Sequence, residues 1–259
     1  MKKKIYISHL FTDEESDRLL KDENIGLEII DFGIGYVLDE EDNGIESYYR
    51  RMGKYLENRN LSLHGPFLDL SPSSFDRLIK NATMIRYNQV YEVAKNIRAD
   101  RIIFHSCYYD NIYFREAYIE KSVEFWKEYF KDKCDDDIKI HIENVYDKEP
   151  SHLIEIIDKV NNKNFSVCLD IGHTNCYSKL PIEDWIKLLG TRIDHIHLHN
   201  NDGNKDTHSG LNNGNININE VLNLIDNYCI NPSITVEVNN SKEIDELVYL
   251  LKKRYGVIL

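Results

Sequence analysis

The sequence predicts an α/β protein whose strands and helices form a (β/α)8 TIM barrel, and three observations support this fold class. Short, apolar, β-branched segments alternate with amphipathic segments from one end of the chain to the other. Eight such apolar segments are present, which is the number of strands in a closed parallel barrel. Most of them end in a residue that can bind a divalent cation, and the active sites of these barrels lie at the C-terminal strand ends.

The predicted strands all have the length and residue types typical of buried parallel strands. They are Lys4–Ser8, Leu27–Phe32, Leu61–His64, Arg101–His105, Lys139–Glu143, Ser166–Asp170, His195–His199 and Ile234–Val238. A doubly wound open sheet is the alternative. It normally has fewer strands and a glycine-rich first turn, whereas His9, Leu10 and Phe11 follow the first predicted strand. The closed barrel is therefore favoured.

Amphipathic segments between the strands predict the outer helices. The clearest one begins at Ser73 and Ser74, which are good N-caps, and repeats apolar residues at nearly helical period from Phe75 to Ile97. Three more predicted helices are Glu116–Phe130, Asn219–Tyr228 and Glu243–Tyr255, the last ending before Gly256. No break in composition divides the chain, so residues 1–259 are expected to form one domain.

The bulk composition limits the choice of partners and compartment. The formal net charge is −12, from 44 acidic and 32 basic residues, which at long range disfavours contact with nucleic acid and anionic membranes. No apolar stretch has the length of a signal sequence or a membrane span. The five cysteines are odd in number and include no CxxC pair, which indicates a reducing, cytoplasmic environment.

Nine residues at or just after predicted strand ends have side chains that can bind a divalent cation. They are His64, His105, Glu143, Asp170, His173, His197, Asp206, His208 and Glu237. Parallel strands that close into a ring bring their C-terminal ends together, so these side chains are expected to converge. Chance would not place a carboxylate or imidazole at nearly every strand end, and the set predicts a divalent metal site.

The fifth and eighth strands carry carboxylates in settings that suit a buried ligand. Alternation along the fifth strand places His141 and Glu143 on the same face, with Glu143 nearer the mouth of the barrel. Glu237 lies between β-branched residues, a poor setting for a solvated side chain. A carboxylate buried without a partner is costly, and a cation is the expected partner.

The sixth and seventh strands supply further ligands at short spacing. Asp170 and His173 flank Gly172, which permits a sharp turn between them. His197 and His199 follow one another at period two on the seventh strand. His197 is expected to face the mouth, and His199 is the alternative ligand if the register differs by one pair.

These segments resemble the xylose isomerase-like barrel superfamily, which includes sugar isomerases and epimerases as well as AP endonucleases of the endonuclease IV type. The resemblance covers the chain from about the first strand to the last. The segments that carry it are His64-Gly-Pro-Phe, Ile-Glu143-Asn, Leu-Asp170-Ile-Gly-His173, His-Ile-His197-Leu-His, Asp206-Thr-His208 and Val-Glu237-Val.

For the sugar isomerases and epimerases, the resemblance implies one catalytic metal ion held by Glu143, Asp170, His197 and Glu237. It also implies that the two glutamates exchange a proton on the substrate carbon and that His173 contacts sugar oxygens. Ligands rich in histidine favour Zn2+ or Mn2+ over Mg2+ or Ca2+. Resemblance to the sugar isomerases and epimerases also implies that the substrate is a small sugar or sugar phosphate.

For the AP endonucleases, the resemblance implies further ligands and up to three zinc ions, so that one to three metal ions per chain are expected. The additional ligands match His64, His105, His173, Asp206 and His208. The aromatic and apolar residues that wedge into DNA in those enzymes match Phe67 and Leu68. However, the predicted mouth loops show no cluster of Lys or Arg of the kind that phosphate tracking needs.

The sequence therefore favours a metal-dependent sugar isomerase or epimerase. The alternative is a phosphodiester hydrolase with several zinc ions, and nucleic acid is an expected partner only under this alternative. A third hypothesis is a catalytically silent metal-binding barrel. Predicted substrate-binding residues are Phe67, Asp69, His199 and Lys205. Lys205 is the nearest cation to the position where the resemblance leads us to expect an arginine. The sequence leaves the oligomeric state open.

Overall fold

The computed structural model describes residues 2–39, 44–133 and 137–256, and within them eight parallel strands close into a barrel. Each strand pairs with the next one along the chain, and the first also pairs with the eighth. The strands are β1 (Ile5–Ser8), β2 (Gly26–Ile29), β3 (Leu61–His64), β4 (Arg101–His105), β5 (Lys139–Glu143), β6 (Phe165–Asp170), β7 (Ile193–Leu198) and β8 (Ser233–Val236). The predicted (β/α)8 class is confirmed.

Three strands end earlier than the sequence suggested, β7 by one residue, at Leu198, and β2 and β8 by more. β2 ends at Ile29, because the chain turns into a 3-10 helix at Asp31–Gly33. β8 ends at Val236, and the backbone N–H of Glu237 donates to the carbonyl of Leu198 at 3.1 Å. Glu237 therefore lies on the rim of the barrel, immediately above the last residue of its strand.

Helices surround the barrel. In the described residues they are α1 (Ser16–Leu19), α2 (Gly44–Met52), α3 (Arg77–Ile97), α4 (Arg115–Tyr129), α5 (Ser151–Val160), α6 (Ile171–Tyr177), α7 (Ile182–Leu189), α8 (Ile218–Tyr228) and α9 (Ser241–Tyr255). Within the same residues, none of the helices combines the length and the apolar character that crossing a membrane requires.

The N-cap predicted for α3 was wrong. Asp76, and neither Ser73 nor Ser74, caps the helix, since its Oδ1 accepts hydrogen bonds from the backbone N–H groups of Leu78 and Ile79 at 2.7 and 3.4 Å. A carboxylate at this position also interacts favourably with the positive end of the helix dipole. Both serines lie in the preceding loop.

The apolar repeat of α3 divides between two faces of the helix. Tyr87 and Val90 are fully buried against the barrel. Leu78 and Ile85, which belong to the predicted apolar repeat, are 78% and 60% exposed, and Phe75, which precedes the helix, is 63% exposed. The helical period in the sequence thus located the helix but did not distinguish its inner face from its outer one.

Candidate metal centre

A cavity of about 290 Å³ lies at the C-terminal ends of the strands. Polar residues from the ends of β3 to β8 and their following loops line it. Those residues are His64, His105, Glu143, His173, His208 and Glu237. Phe67 and three aliphatic residues, Leu10, Ile30 and Ile34, also line the cavity. Six of the nine predicted ligands therefore line one cavity, together with the predicted substrate-binding residue Phe67.

Four predicted ligands form a fully buried donor group, which we call the first group. Glu143, Asp170, His197 and Glu237 are all buried, and their donor atoms lie within 4.8 Å of one another. The Nδ1 atom of His197 is 2.9 Å from Oε2 of Glu237 and 3.4 Å from Oε1 of Glu143. Oδ2 of Asp170 lies 3.8 Å from the same nitrogen.

Buried atoms of the first group lack hydrogen bonds. Within the described part of the chain, no hydrogen bond reaches Oε2 of Glu143, Nδ1 of His197 or Oε2 of Glu237. A buried polar atom without a partner costs about 1–3 kcal/mol. Three carboxylates and one imidazole that converge in this way match the ligands of Zn2+ and Mn2+. The donor set therefore fits a divalent cation.

The second group consists of His64, His105 and Glu143. Nε2 of His64 lies 3.4 Å and Nε2 of His105 lies 3.7 Å from Oε2 of Glu143. Nδ1 of His64 is 3.0 Å from the carbonyl oxygen of Gly65, and because a carbonyl can only accept, this nitrogen carries a proton. In the neutral ring, Nε2 then presents its lone pair to the group. The ring of Phe67 stacks on His105 with centroids 4.4 Å apart.

The third group consists of His173, Asp206 and His208. Both imidazole Nε2 atoms approach Oδ2 of Asp206, at 3.2 Å for His173 and 3.0 Å for His208. The Nδ1 atoms donate to backbone carbonyl oxygens, of Asn144 at 2.9 Å and of Glu237 at 3.0 Å. This arrangement assigns the proton to Nδ1 in both rings and directs the Nε2 atoms towards a common point.

Buried charges of both signs determine how these groups titrate in the absence of a metal ion. Burial acts to raise the pKa of Glu143, but the adjacent His197 outweighs it and holds the pKa well below its usual value. Burial acts to lower the pKa of His208, but its contact with Asp206 raises that pKa to about 9. Burial prevails at His105, whose pKa is lowered to about 3. Protons on imidazoles therefore supply part of the positive charge that a metal ion would bring.

His199 lies behind the ligands. Its Nε2 is 3.1 Å from each carboxylate oxygen of Asp170, and its ring stacks on that of His208 with centroids 4.2 Å apart. It is fully buried, packs against Gly172 and is absent from the cavity lining. Of the two alternatives on β7, His197 is the one whose ring reaches the first group.

The two remaining predicted substrate-binding residues lie outside the cavity lining. Asp69 is exposed and adopts a left-handed conformation, with φ of 60°. Lys205 is exposed on the loop after β7. Neither the loop spacing nor the residue type indicated which way these side chains point.

Two buried polar residues that support the ligands were not singled out from the sequence. Asn144 accepts from the backbone N–H of Asp170 at 2.9 Å and donates to its carbonyl oxygen at 3.0 Å, which ties β5 to β6 beneath the ligands. Glu28 lies inside the barrel on β2 and is fully buried. Its position between Leu27 and Ile29 was a usable signal, because a carboxylate within an apolar strand requires buried partners.

Comparison with known proteins identifies the family of this chain. A family model described as xylose isomerase-like TIM barrel matches residues 23–254. The uncharacterized protein MJ1311 of Methanocaldococcus jannaschii is 27% identical over 206 residues, which are 76% of this chain and 70% of that protein.

Solved structures share the fold over nearly the whole chain. A D-tagatose 3-epimerase-like protein superposes with a TM-score of 0.76 at 24% identity, with 96% of each chain covered. The TTHB071 protein of Thermus thermophilus, from a crystal soaked with ZnCl2, gives a TM-score of 0.75 at 21% identity, over 99% of this chain and 98% of that one. The family model covers most of the sequence, and the chain belongs to the xylose isomerase-like TIM barrel family.

Proposed function

We propose that the protein is a divalent-metal-dependent isomerase or epimerase of small sugars that carry a carbonyl group beside a hydroxyl-bearing carbon. The observation that carries this proposal is the position of Glu143 and Glu237. Both belong to the first group and both line the cavity, yet they come from β5 and β8, which are not neighbours in the barrel. The fold shared with the D-tagatose 3-epimerase-like protein supports the same class.

The reaction needs a proton to leave one carbon and a proton to be delivered to the substrate. A divalent cation in the first group would polarise the carbonyl and hydroxyl oxygens of the substrate and so acidify the adjacent C–H bond. Glu143, whose low pKa keeps it ionised at neutral pH, accepts the proton in this scheme. Glu237, which lines the same cavity, returns a proton to the substrate in this scheme.

His173 orients the substrate. Its ring lies in the cavity lining and is fixed from both sides, by the carbonyl oxygen of Asn144 and by the carboxylate of Asp206. With Nδ1–H held by Asn144, the Nε2–H group can turn from Asp206 to a substrate oxygen while the ring keeps its orientation. Phe67 and Ile34 form the apolar wall that keeps water from the reacting carbon.

The cavity also bears on the choice between a free sugar and a sugar phosphate. Its volume, about 290 Å³, suits a small molecule. The described residues that line it include no Lys or Arg, and Arg is the usual partner of a phosphate group. A free sugar is therefore the favoured substrate.

Exchange of a substrate hydrogen with solvent tests the proposal. The protein, loaded in turn with Mn2+, Co2+ and Zn2+, is incubated in D2O with a panel of ketopentoses and ketohexoses, and loss of the C3–H or C1–H signal is followed by proton NMR. We expect exchange with at least one sugar, and its loss in Glu237→Gln. The absence of exchange with every sugar and metal would contradict the proposal.

Phosphodiester hydrolysis is a second candidate, because the second and third groups are complete as well. Metal ions bound there would neutralise a phosphate group and assist attack by water. His64, His105 and Asp206 have no direct part in proton exchange at carbon, and this function would use them. Nicking of a duplex with an abasic site, together with three tightly bound zinc ions per chain, would favour it over isomerisation.

A further inference from the structure

Glu28 is a carboxylate inside the barrel, below the cavity. It is fully buried and does not line the cavity. One of its oxygens, Oε2, accepts hydrogen bonds from Oγ of Ser62 at 2.9 Å and from Oγ1 of Thr235 at 2.8 Å. Nε2 of His195 lies 3.3 Å from the same oxygen. Three neighbours thus surround one half of the carboxylate.

The other oxygen of Glu28 faces a single group. Oε1 lies 3.0 Å from Nε2 of His197, a close contact in which, among the described residues, neither atom has a hydrogen bond. The opposite nitrogen of the same ring, Nδ1, lies 2.9 Å from Oε2 of Glu237 in the first group. The His197 ring therefore spans the distance between Glu28 and the donor atoms of the first group.

We propose that Glu28 is a positioning residue that acts through His197. Its carboxylate keeps the ring proton on Nε2, so that Nδ1 presents a lone pair to the metal ion, and its negative charge makes the ring a stronger ligand. The inference rests on the proposed metal-dependent function. Histidine ligands commonly donate their second N–H to a carboxylate or carbonyl oxygen, which sets the tautomer and the orientation of the ring.

The surroundings argue against a purely structural role. A carboxylate that only joined strands would be satisfied by hydroxyl and amide donors on both oxygens, as Oε2 is by Ser62 and Thr235. Arg101 is a buried cation, and its hydrogen bonds among the described residues go to Asp100, His195 and Ser233, with none to Glu28. The unshared oxygen is therefore directed at the ligand ring.

Two variants separate charge from packing. Glu28→Gln keeps the shape of the side chain, and the Ser62 and Thr235 hydroxyls can reverse to accept from its amide, so only the charge is lost. Ser62→Ala removes a partner of Oε2 and leaves the contact of Oε1 with His197 intact. Affinity for Co2+ is measured for each variant and for the unchanged protein by competition with a chelator, and the visible Co2+ spectrum is recorded.

We expect Glu28→Gln to weaken Co2+ binding about 10- to 100-fold and Ser62→Ala to weaken it less than about threefold. Equal affinity in Glu28→Gln and the unchanged protein would overturn this inference alone. An unchanged protein that binds no Co2+ would overturn both it and the proposed function.

A second measurement needs no variant. In the unchanged protein loaded with Zn2+ or Cd2+, the imidazole 15N shifts of His197 report which nitrogen carries the proton. We expect a protonated Nε2 and a metal-bound Nδ1. The reverse assignment would overturn the inference even if Glu28→Gln did not fold.

Discussion

The Nε2 atom of His64 lies 3.4 Å from Oε2 of Glu143, so this carboxylate belongs to two donor groups at once. Its other oxygen, Oε1, faces His197 at 3.4 Å and His173 at 3.2 Å. Metal ions in the first and second groups would therefore share Glu143. Among the described residues, no other residue belongs to both of these groups.

Substitution of Glu143 is expected to affect two metal positions, and substitution of Asp170 only one. Zinc content after reconstitution and dialysis, measured by elemental analysis, should fall in Glu143→Gln by more than in Asp170→Asn. In Glu143→Gln, affinity should fall at least about 10-fold at both positions, because a carboxamide is a weaker ligand than a carboxylate. Equal zinc content in the two variants would show that Glu143 does not bridge.

His105 offers a test of how many metal ions the isomerase reaction needs. It contributes to the second group and has no contact with the Asp170 side of the first group. In the proposed reaction, His105→Gln should lower zinc content while it leaves solvent exchange of the sugar hydrogen within about threefold of the unchanged protein. His197→Gln, which removes a ligand of the first group, is the matched control and should abolish exchange. A comparable loss of exchange in both variants would show that the reaction needs metal ions in both groups.

Residues at strand ends were the part of the site that the sequence could predict. In a closed parallel barrel all C-terminal strand ends meet at one rim, so Glu143, Asp170 and His197 converge whatever the loops do. The period-two alternation of a strand also fixes which side chains point inward. Even His208, on the loop after β7, was found because Asp206 and His208 stand close together in the sequence.

Other features depend on contacts that a sequence does not contain. Asp69 and Lys205 lie on loops whose backbone path decides their direction, and both are exposed. The outward face of α3 follows from the packing of neighbouring helices, and the apolar repeat from Phe75 to Ile97 cannot reveal it. The partners of Glu28 come from β3, β7 and β8, far away in the sequence, so its contact with His197 appears only once the barrel is closed.

Metal binding is expected to release protons, because the contact with Asp206 raises the pKa of His208 to about 9. At pH 7 this ring is protonated in the metal-free protein, and a metal ion must displace the proton to reach Nε2. Zinc affinity should therefore rise as the pH increases from 7 to about 9. Calorimetric titrations in two buffers of different ionisation enthalpy, at the same pH, measure the protons released. Asp206→Asn should reduce that number, and a heat independent of buffer would contradict the expectation.

The raised pKa of His208 also affects the stability of the metal-free protein. A raised pKa in the folded state contributes stability that is fully present below the unfolded value of about 6.5 and is lost as the pH rises through about 9. Urea unfolding of the metal-free protein at pH 6.5, 8 and 9.5 should show this contribution decline. Asp206→Asn should flatten the decline, since the partner that raises the pKa is gone.

Gly172 leaves room for the ring that supports Asp170. A Cβ at this position would overlap the His199 ring, whose Nε2 lies 3.1 Å from both carboxylate oxygens of Asp170. In Gly172→Ala the ring must move, and Asp170 with it. We expect the free energy of unfolding to fall by about 1–3 kcal/mol, although alanine has the higher helix propensity, and metal affinity to fall as well.

Gly53→Ala is the matched control for this substitution, because a Cβ there meets no atom within 4 Å. Its free energy of unfolding should change by less than about 0.5 kcal/mol, and its metal affinity should not change. Urea unfolding of the metal-free proteins gives the first quantity, and chelator competition gives the second. If Gly172→Ala and Gly53→Ala behaved alike in both measurements, the His199 ring would not hold Asp170 in place for the metal ion.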